Sequence, residues 1–265
     1  MFNNLTPIVK NLLLINIGVF VVVSMLLGLE SAVDTFGLRY INSREFQPWQ
    51  FITHMFMHGG WPHLFSNMIG LFFFGPMLER AFGPQKFLIY YFVCGLGAAF
   101  IYMGFVWYEL RELNNAVELY LLNPDPASFS SFMNEYGRGI IRRDVLFNIL
   151  DDFRENPDNP MIIRQTKEMA TAIYNHRIDI PMVGASGAIF GILMGFALLF
   201  PNTELFLLFF PFPIKAKYMV LFYGLYTLYA GIQRTPGDNV AHFAHLGGMI
   251  FAFILIRYWR YSRYN

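Results

Sequence analysis

Six apolar stretches, each close to the length that crosses a bilayer, leave few folds open to this chain. A spanning helix needs about 20 apolar residues, and backbone in hydrocarbon must satisfy its own hydrogen bonds, which favours helices. Span one is read at about Leu12 to Leu29, span two at Trp61 to Leu78 and span three at Phe87 to Trp107. Span four follows at Gly184 to Phe200, span five at Tyr218 to Ile232 and span six at Val240 to Tyr258. A proline-broken apolar segment, Leu205 to Ile214, leads into span five. Of the 265 residues 55% are hydrophobic and 14% charged, where soluble domains carry about 25% charged residues. The predicted fold class is therefore an all-α polytopic membrane protein, a bundle of six transmembrane helices in the lipid bilayer. The start, MFNNLTPIVK, reaches span one without a small-residue cleavage site and is read as uncleaved.

Charge orients the bundle. With both termini in the cytoplasm, the inner segments hold Lys10, Arg80, Lys86, Lys215, Lys217, Arg257, Arg260 and Arg263. The short outer loops hold Arg39, Arg44 and Arg234. Eight positives against three support cytoplasmic ends, since basic residues in short loops are retained inside. The formal net charge of +1 speaks for no nucleic acid, and the single cysteine, Cys94, for no disulfide framework.

Between spans three and four the material changes. Residues 108–180 carry eight Lys/Arg and twelve Asp/Glu, a net of −4. Val145, Leu146, Ile149, Leu150 and Phe153 share one helical face, and Met161, Ile162, Met169, Ala170 and Ile173 suggest another, with Pro157 and Pro160 between them. The expectation is a small helical insert outside the membrane. The chain then divides into core spans one to three (1–107), the extracytoplasmic helical insert (108–180) and core spans four to six (181–265).

Span four opens on Val183-Gly184-Ala185-Ser186-Gly187, a serine whose small neighbours leave its hydroxyl open to approach. Gly187, Gly191 and Gly195 then recur every four residues, a spacing that also serves as a plain packing groove between membrane helices. Span six repeats it with Ala244, Gly248 and Ala252, so that it can dock on that face and bring His245 beside Ser186. Span two carries His63 and Asn67 one turn apart, two side chains able to donate to a developing oxyanion. No carboxylate lies in span six or in span two before Glu79, so an acid–His–Ser triad from these helices is excluded. A serine–histidine pair needs only hydrogen-bond reach. A metal-dependent enzyme or transporter using His54, His58, His242 and His245 lacks the carboxylates that orient histidine ligands, so no metal and no cofactor is expected.

His63-x-x-x-Asn67, Gly184-Ala185-Ser186-Gly187 and Ala244-His245-Leu246-Gly247-Gly248, in this order on six spans, resemble the rhomboid family of intramembrane serine proteases. Thr53-His54-Met55-Phe56-Met57-His58-Gly59-Gly60 fits the family's approach to its second span. The resemblance covers the chain outside the insert. It implies Ser186 as nucleophile, His245 as general base and acid, and an oxyanion hole from the Ser186 N–H, His63 and Asn67. It also implies Phe190 as the aromatic packed on the catalytic imidazole, with Gly184 in the supporting motif. It implies transmembrane protein substrates cut near the outer membrane face, with span five and the loop after it as their gate. The compact plan is similar to bacterial members and implies a bacterial inner membrane. A catalytically silent relative that binds transmembrane clients is the alternative. The family often has Trp-Arg in the first loop, where this chain has Trp49-Gln50.

Overall fold

The computed structural model describes residues 5–206, 212–233 and 240–261. Residues 234–239, with the loop arginine Arg234, and the middle of the Leu205 to Ile214 segment lie outside them. Helix α1 (Pro7–Leu26) is followed by α2 (Leu29–Phe36), a one-turn α3 (Gln50–Thr53) with a 3-10 turn (His54–Phe56), α4 (Trp61–Phe82) and α5 (Pro84–Leu122). Then come α6 (Pro126–Tyr136), α7 (Arg143–Glu155), α8 (Pro160–Ile178) and α9 (Ser186–Leu199). Strands β1 (Glu204–Leu205) and β2 (Ile214–Lys215) pair antiparallel before α10 (Ala216–Gln233) and α11 (His242–Tyr261). Helices α1, α4, α5, α9, α10 and α11 fall on the six apolar stretches. Among the described residues α1 and α5 are long and apolar enough to cross a bilayer unaided, and α9 is apolar but shorter. The connection between the first two apolar stretches contains α2 and α3.

Helix α9 lies inside the bundle, packed on α4, α5, α10 and α11. Its glycines explain the close approach. A Cβ on Gly191 would meet Cys94 of α5, and one on Gly195 would overlap the Tyr90 hydroxyl and crowd Leu78. A Cβ on Gly248 of α11 would overlap the Gly187 carbonyl. The glycine face read from the sequence as a seat for span six is shared: its Cβ positions point at Ala98, Cys94 and Tyr90 of α5, and the backbone of α11 meets it at Ala244 and Gly248. The buried Tyr90 hydroxyl donates to the Gly191 carbonyl at 2.6 Å, which satisfies a phenol that burial would otherwise strand. Around the bundle, Leu221, Phe222, Leu225 and Tyr229 of α10 stay exposed, an apolar outer face of the kind lipid covers.

One end of the bundle holds both described chain ends. Pro7 opens α1, and the buried Glu79 near the end of α4 accepts the N–H groups of Ile8 (3.1 Å) and Val9 (2.9 Å). A carboxylate there satisfies two orphan donors and opposes the positive end of the helix dipole. Gly83, at φ +80°, then reverses the chain, and Pro84 starts α5. Trp259 near the end of α11 packs 5.1 Å from Phe82 at the same end. Glu79→Leu leaves both α1 donors unpaired and is expected to cost about 2–4 kcal/mol of stability, whereas Glu79→Gln, which keeps an acceptor oxygen, costs less. Thermal unfolding in detergent micelles measures the difference.

At the other end α5 runs on past the boundary expected at Trp107. Glu109-Leu110-Arg111-Glu112-Leu113 offers strong helix formers and no glycine or proline, so nothing stops the helix after Trp107. Its outer half packs with α6, α7 and α8 around Tyr120, Phe129, Phe132, Leu150, Phe153, Ala170 and Ile173. The faces anticipated in the insert are realised unevenly: Leu150, Phe153, Ala170 and Ile173 are buried, Leu146, Ile149, Ile162 and Met169 partly so, while Val145 and Met161 are exposed. Asp125 caps α6, accepting from the Ala127 and Ser128 N–H groups and from the Ser128 hydroxyl. These bonds, the hydroxyl's first, hold its carboxyl below the ordinary carboxylate range. The cap therefore contributes at neutral pH and is lost as pH falls below the unfolded value of about 3.9.

Candidate active site

Ser186 is the first residue of α9, and the path into it is fixed by backbone bonds. Leu38 and Met182 exchange both of their hydrogen bonds at 2.8 Å, and the Gly184 N–H donates to the His54 carbonyl at 2.9 Å. Gly184 has φ +121°, a conformation that L side chains rarely adopt. A Cβ there would stand 2.6 Å from His63 Nε2 and 3.6 Å from Ser186 Oγ. The imidazole of His63 thus occupies the space that a side chain at 184 would need, beside the serine.

His245, in the first turn of α11, is 9% exposed and has its Nε2 2.9 Å from Ser186 Oγ. Its ring lies flat on Phe190, with centroids 4.0 Å apart and planes 6° from parallel. Phe190 is one turn beyond Ser186, so a single helix carries the hydroxyl and the plate that fixes the imidazole against it. Tyr223 of α10 meets Phe190 edge-on at 6.1 Å, and Tyr226 lies 6.5 Å from the ring of His242, the first residue of α11. Helix α10 therefore walls the side of the site away from α5. A small cavity beside the serine is lined largely by Gly95, Ala98, Gly184, Gly187 and Ala244.

The tautomer of His63 follows from its neighbour. The Gly59 N–H donates to His63 Nδ1 at 3.2 Å, which makes Nδ1 the acceptor and leaves the proton of the neutral ring on Nε2. That Nε2–H faces the Gly184 and Ser186 side of the ring. His58 packs edge-on against His63 at 5.2 Å and limits its rotation. Asn67 is buried one turn along α4, and one of its two amide N–H groups goes to the His63 carbonyl at 2.8 Å. The structure brings Ser186, His245, His63, Phe190 and Gly184 together, and it engages Asn67 with the backbone of its own helix.

The first loop is organised by Gln50, noted in the sequence as standing where the family often has arginine, and by Arg39, counted there only as a loop charge. Gln50, in the position after Trp49, is 1% exposed. It accepts the Arg39 N–H at 3.2 Å and donates to the carbonyls of Thr35 (3.3 Å) and Glu45 (3.0 Å). An amide stands at the crossing of the loop, and the buried guanidinium is that of Arg39 instead. A lone arginine in a polar-aromatic loop carried no local signal of burial, because its partners lie far along the chain. Among the described residues, no group of three or more His, Cys, Asp or Glu side chains is arranged to hold a metal, and His54, His58, His242 and His245 form no such group.

The chain matches the Rhomboid domain family over residues 45–109 and 161–262, which leaves out most of the insert. The "RHOMBOID-like protein 12, mitochondrial" of Arabidopsis thaliana is 27% identical over 249 residues, 93% of this chain and 56% of the relative. An uncharacterized mitochondrial rhomboid protein of Schizosaccharomyces pombe is 26% identical over 219 residues, 80% of this chain and 50% of the relative. The rhomboid protease AarA of Providencia stuartii is 35% identical over 106 residues, 38% of each chain. The chain thus spans about half or less of the length of these relatives. They come from mitochondria as well as bacteria, so the bacterial membrane expected from the compact plan draws no support from them.

Proposed function

The chain belongs to the rhomboid family and is an integral membrane protein, and we propose that it is an intramembrane serine endopeptidase working through Ser186 and His245. The observation that carries this reading is the 2.9 Å approach of His245 Nε2 to Ser186 Oγ, with the imidazole held flat against Phe190. Nε2 accepts the serine proton as Oγ attacks the carbonyl carbon of a peptide bond. The oxyanion of the tetrahedral intermediate takes hydrogen bonds from the Ser186 backbone N–H, His63 Nε2–H and the second amide N–H of Asn67. Collapse breaks the C–N bond, and the imidazolium gives its proton to the departing amine. Water then adds to the acyl-enzyme with His245 again as base, which frees the acid and restores the serine.

Six helices cross the bilayer in this reading: α1, α4, α5, α9, α10 and α11. The end holding Glu79 and Trp259 faces the cytoplasm, as the basic residues there favour. The serine then lies near the opposite face, reached by water from outside, with the helical insert, built on the continuation of α5, on that side. Substrates are transmembrane segments that unwind near that face, because an extended peptide in hydrocarbon loses its backbone partners. Helix α10, with Tyr223 and Tyr226 turned to the site, is the gate through which they arrive.

The test is to reconstitute the full chain in liposomes with a model transmembrane substrate and a fluorophosphonate probe. The expected result is cleavage, probe attached to the peptide containing Ser186, and no loss of activity with a chelator. Cleavage that continues once the probe has saturated Ser186 overturns the assignment. Absence of both cleavage and labelling overturns it in favour of a client-binding protein.

A further inference from the structure

Over eight residues, the chain leaving the insert is tied to the rest of the molecule at five points. Arg177 at the end of α8 pairs with Glu109 of α5 at 2.8 Å. The carbonyl of Asp179 accepts from Nη1 of Arg39, and its carboxylate accepts the Ser43 hydroxyl at 2.7 Å. Met182 is bridged to Leu38, and Gly184 is held by His54, two residues before Ser186. Arg39 is the hub of this arrangement. Its guanidinium also donates to the Asp34 carbonyl (3.3 Å) and to the Asp34 carboxylate (3.0 Å), while its own N–H donates to Gln50.

A guanidinium is costly to bury without partners, and Arg39 is 7% exposed. Its fixed fork of donors suits a place where several oxygens from distant segments must be held at set angles. Asp179 lies 140 residues from Arg39 in sequence. Arg39 thus joins the first loop, which supplies Gln50 and His54, to the strand-like run that delivers Ser186. The neighbouring residue, Leu38, makes the bridge to Met182, so the guanidinium contact and the backbone bridge fix one register between the two segments. A shift of that register would move Gly184, and with it Ser186, relative to His63 on α4 and His245 on α11.

We propose that Arg39 is a positioning residue for Ser186, and that the last residues of the insert are part of the site's framework. The proposal rests on the serine chemistry proposed above. In liposomes Arg39→Met is expected to lower kcat by about ten- to a hundredfold, the scale of effect that small misplacements produce. KM is expected to stay within about twofold, since neither Arg39 nor Asp179 lines the cavity beside the serine, and fluorophosphonate labelling slows in parallel with kcat. Arg39→Lys restores part of the loss, because one ammonium nitrogen cannot reach all the oxygens held by Nε, Nη1 and Nη2.

The second readout is amide hydrogen exchange on the full-length protein, which needs no activity. Arg39→Met is expected to speed exchange at Met182 and Gly184 while amides within α6, α7 and α8 keep their protection. If Arg39→Met fails to fold, Ser43→Ala, which removes the bond to Asp179 Oδ1 and the one accepted from the Glu45 N–H, carries the same prediction at about two- to fivefold in kcat, with KM unchanged. Unchanged exchange at 182 and 184, or faster exchange with kcat within twofold of wild type, overturns the proposal. If wild-type protein neither cuts nor labels, the serine reading fails, and the exchange result alone decides whether Arg39 orders the segment.

Discussion

Ser186→Ala and His245→Ala are each expected to lower kcat for cleavage of a transmembrane substrate by about 10⁴-fold or more, and the double variant is expected to lose no more than the worse single one. Groups that act as one unit behave this way, because either loss removes the activated nucleophile. Without His245 the hydroxyl has no base 2.9 Å away. Without Ser186 the imidazole has nothing to deprotonate except water, with no geometry built for that attack. The donors on α4 remain in both cases, so any residual rate should be the same in all three proteins. Stability should stay within about 0.5 kcal/mol for Ser186→Ala: the serine begins α9 without capping it, and Ala185 is the N-cap. Single-turnover cleavage in liposomes, with unfolding curves on the same preparations, measures both. A double variant far slower than either single would show that the two side chains act independently, and the pair would have to be abandoned.

Much of this arrangement is readable in one dimension because its signals are local. The apolar runs specify helices wherever bilayer length and backbone satisfaction allow nothing else. Gly187, Gly191 and Gly195 announce that something packs closely on α9. They do not say how many, because any helix with room can take the face; α11 meets it at Ala244 and Gly248 as expected, and Cys94, Ala98 and Tyr90 of α5 share it. Composition marks the insert by its charge, yet it draws a boundary at Trp107 where the backbone has none, since a helix former is the same on either side of a membrane surface. Gly184 reads as a small neighbour that clears the approach to Ser186, whereas its φ and the imidazole against it supply a stronger reason. Least legible are contacts that join distant segments, such as Arg39 to Asp179 or Glu79 to the first turn of α1. Each is a single polar residue whose meaning depends on a partner the local pattern cannot indicate.

Gly184→Ala separates the requirement for a glycine from the requirement for a small residue, and the expected loss in kcat is about 10²–10³-fold. Two costs combine. Backbone at φ +121° strains any L side chain, by about 1–3 kcal/mol. The new methyl would also stand 2.6 Å from His63 Nε2, well inside van der Waals contact. Either the imidazole swings away or the chain at 184 moves. Swinging the ring breaks the bond from Gly59 to Nδ1 and turns the Nε2–H away from the serine, and loss of one such donor costs about 10²–10³ in kcat. Moving the chain breaks the bond from Gly184 to His54 and carries Ser186 with it. The reaction suffers by either route, while the substrate still meets the same α10 wall, so KM should change little. Gly104→Ala is the matched control: nothing lies within 4 Å of its Cβ position, and in a helix the change should be neutral or slightly stabilising. Rates and unfolding temperatures for the two variants would distinguish the explanations. A Gly184→Ala protein that cuts within threefold of wild type would mean that His63 gives way without cost, and that it is not held as a donor to the reacting carbonyl.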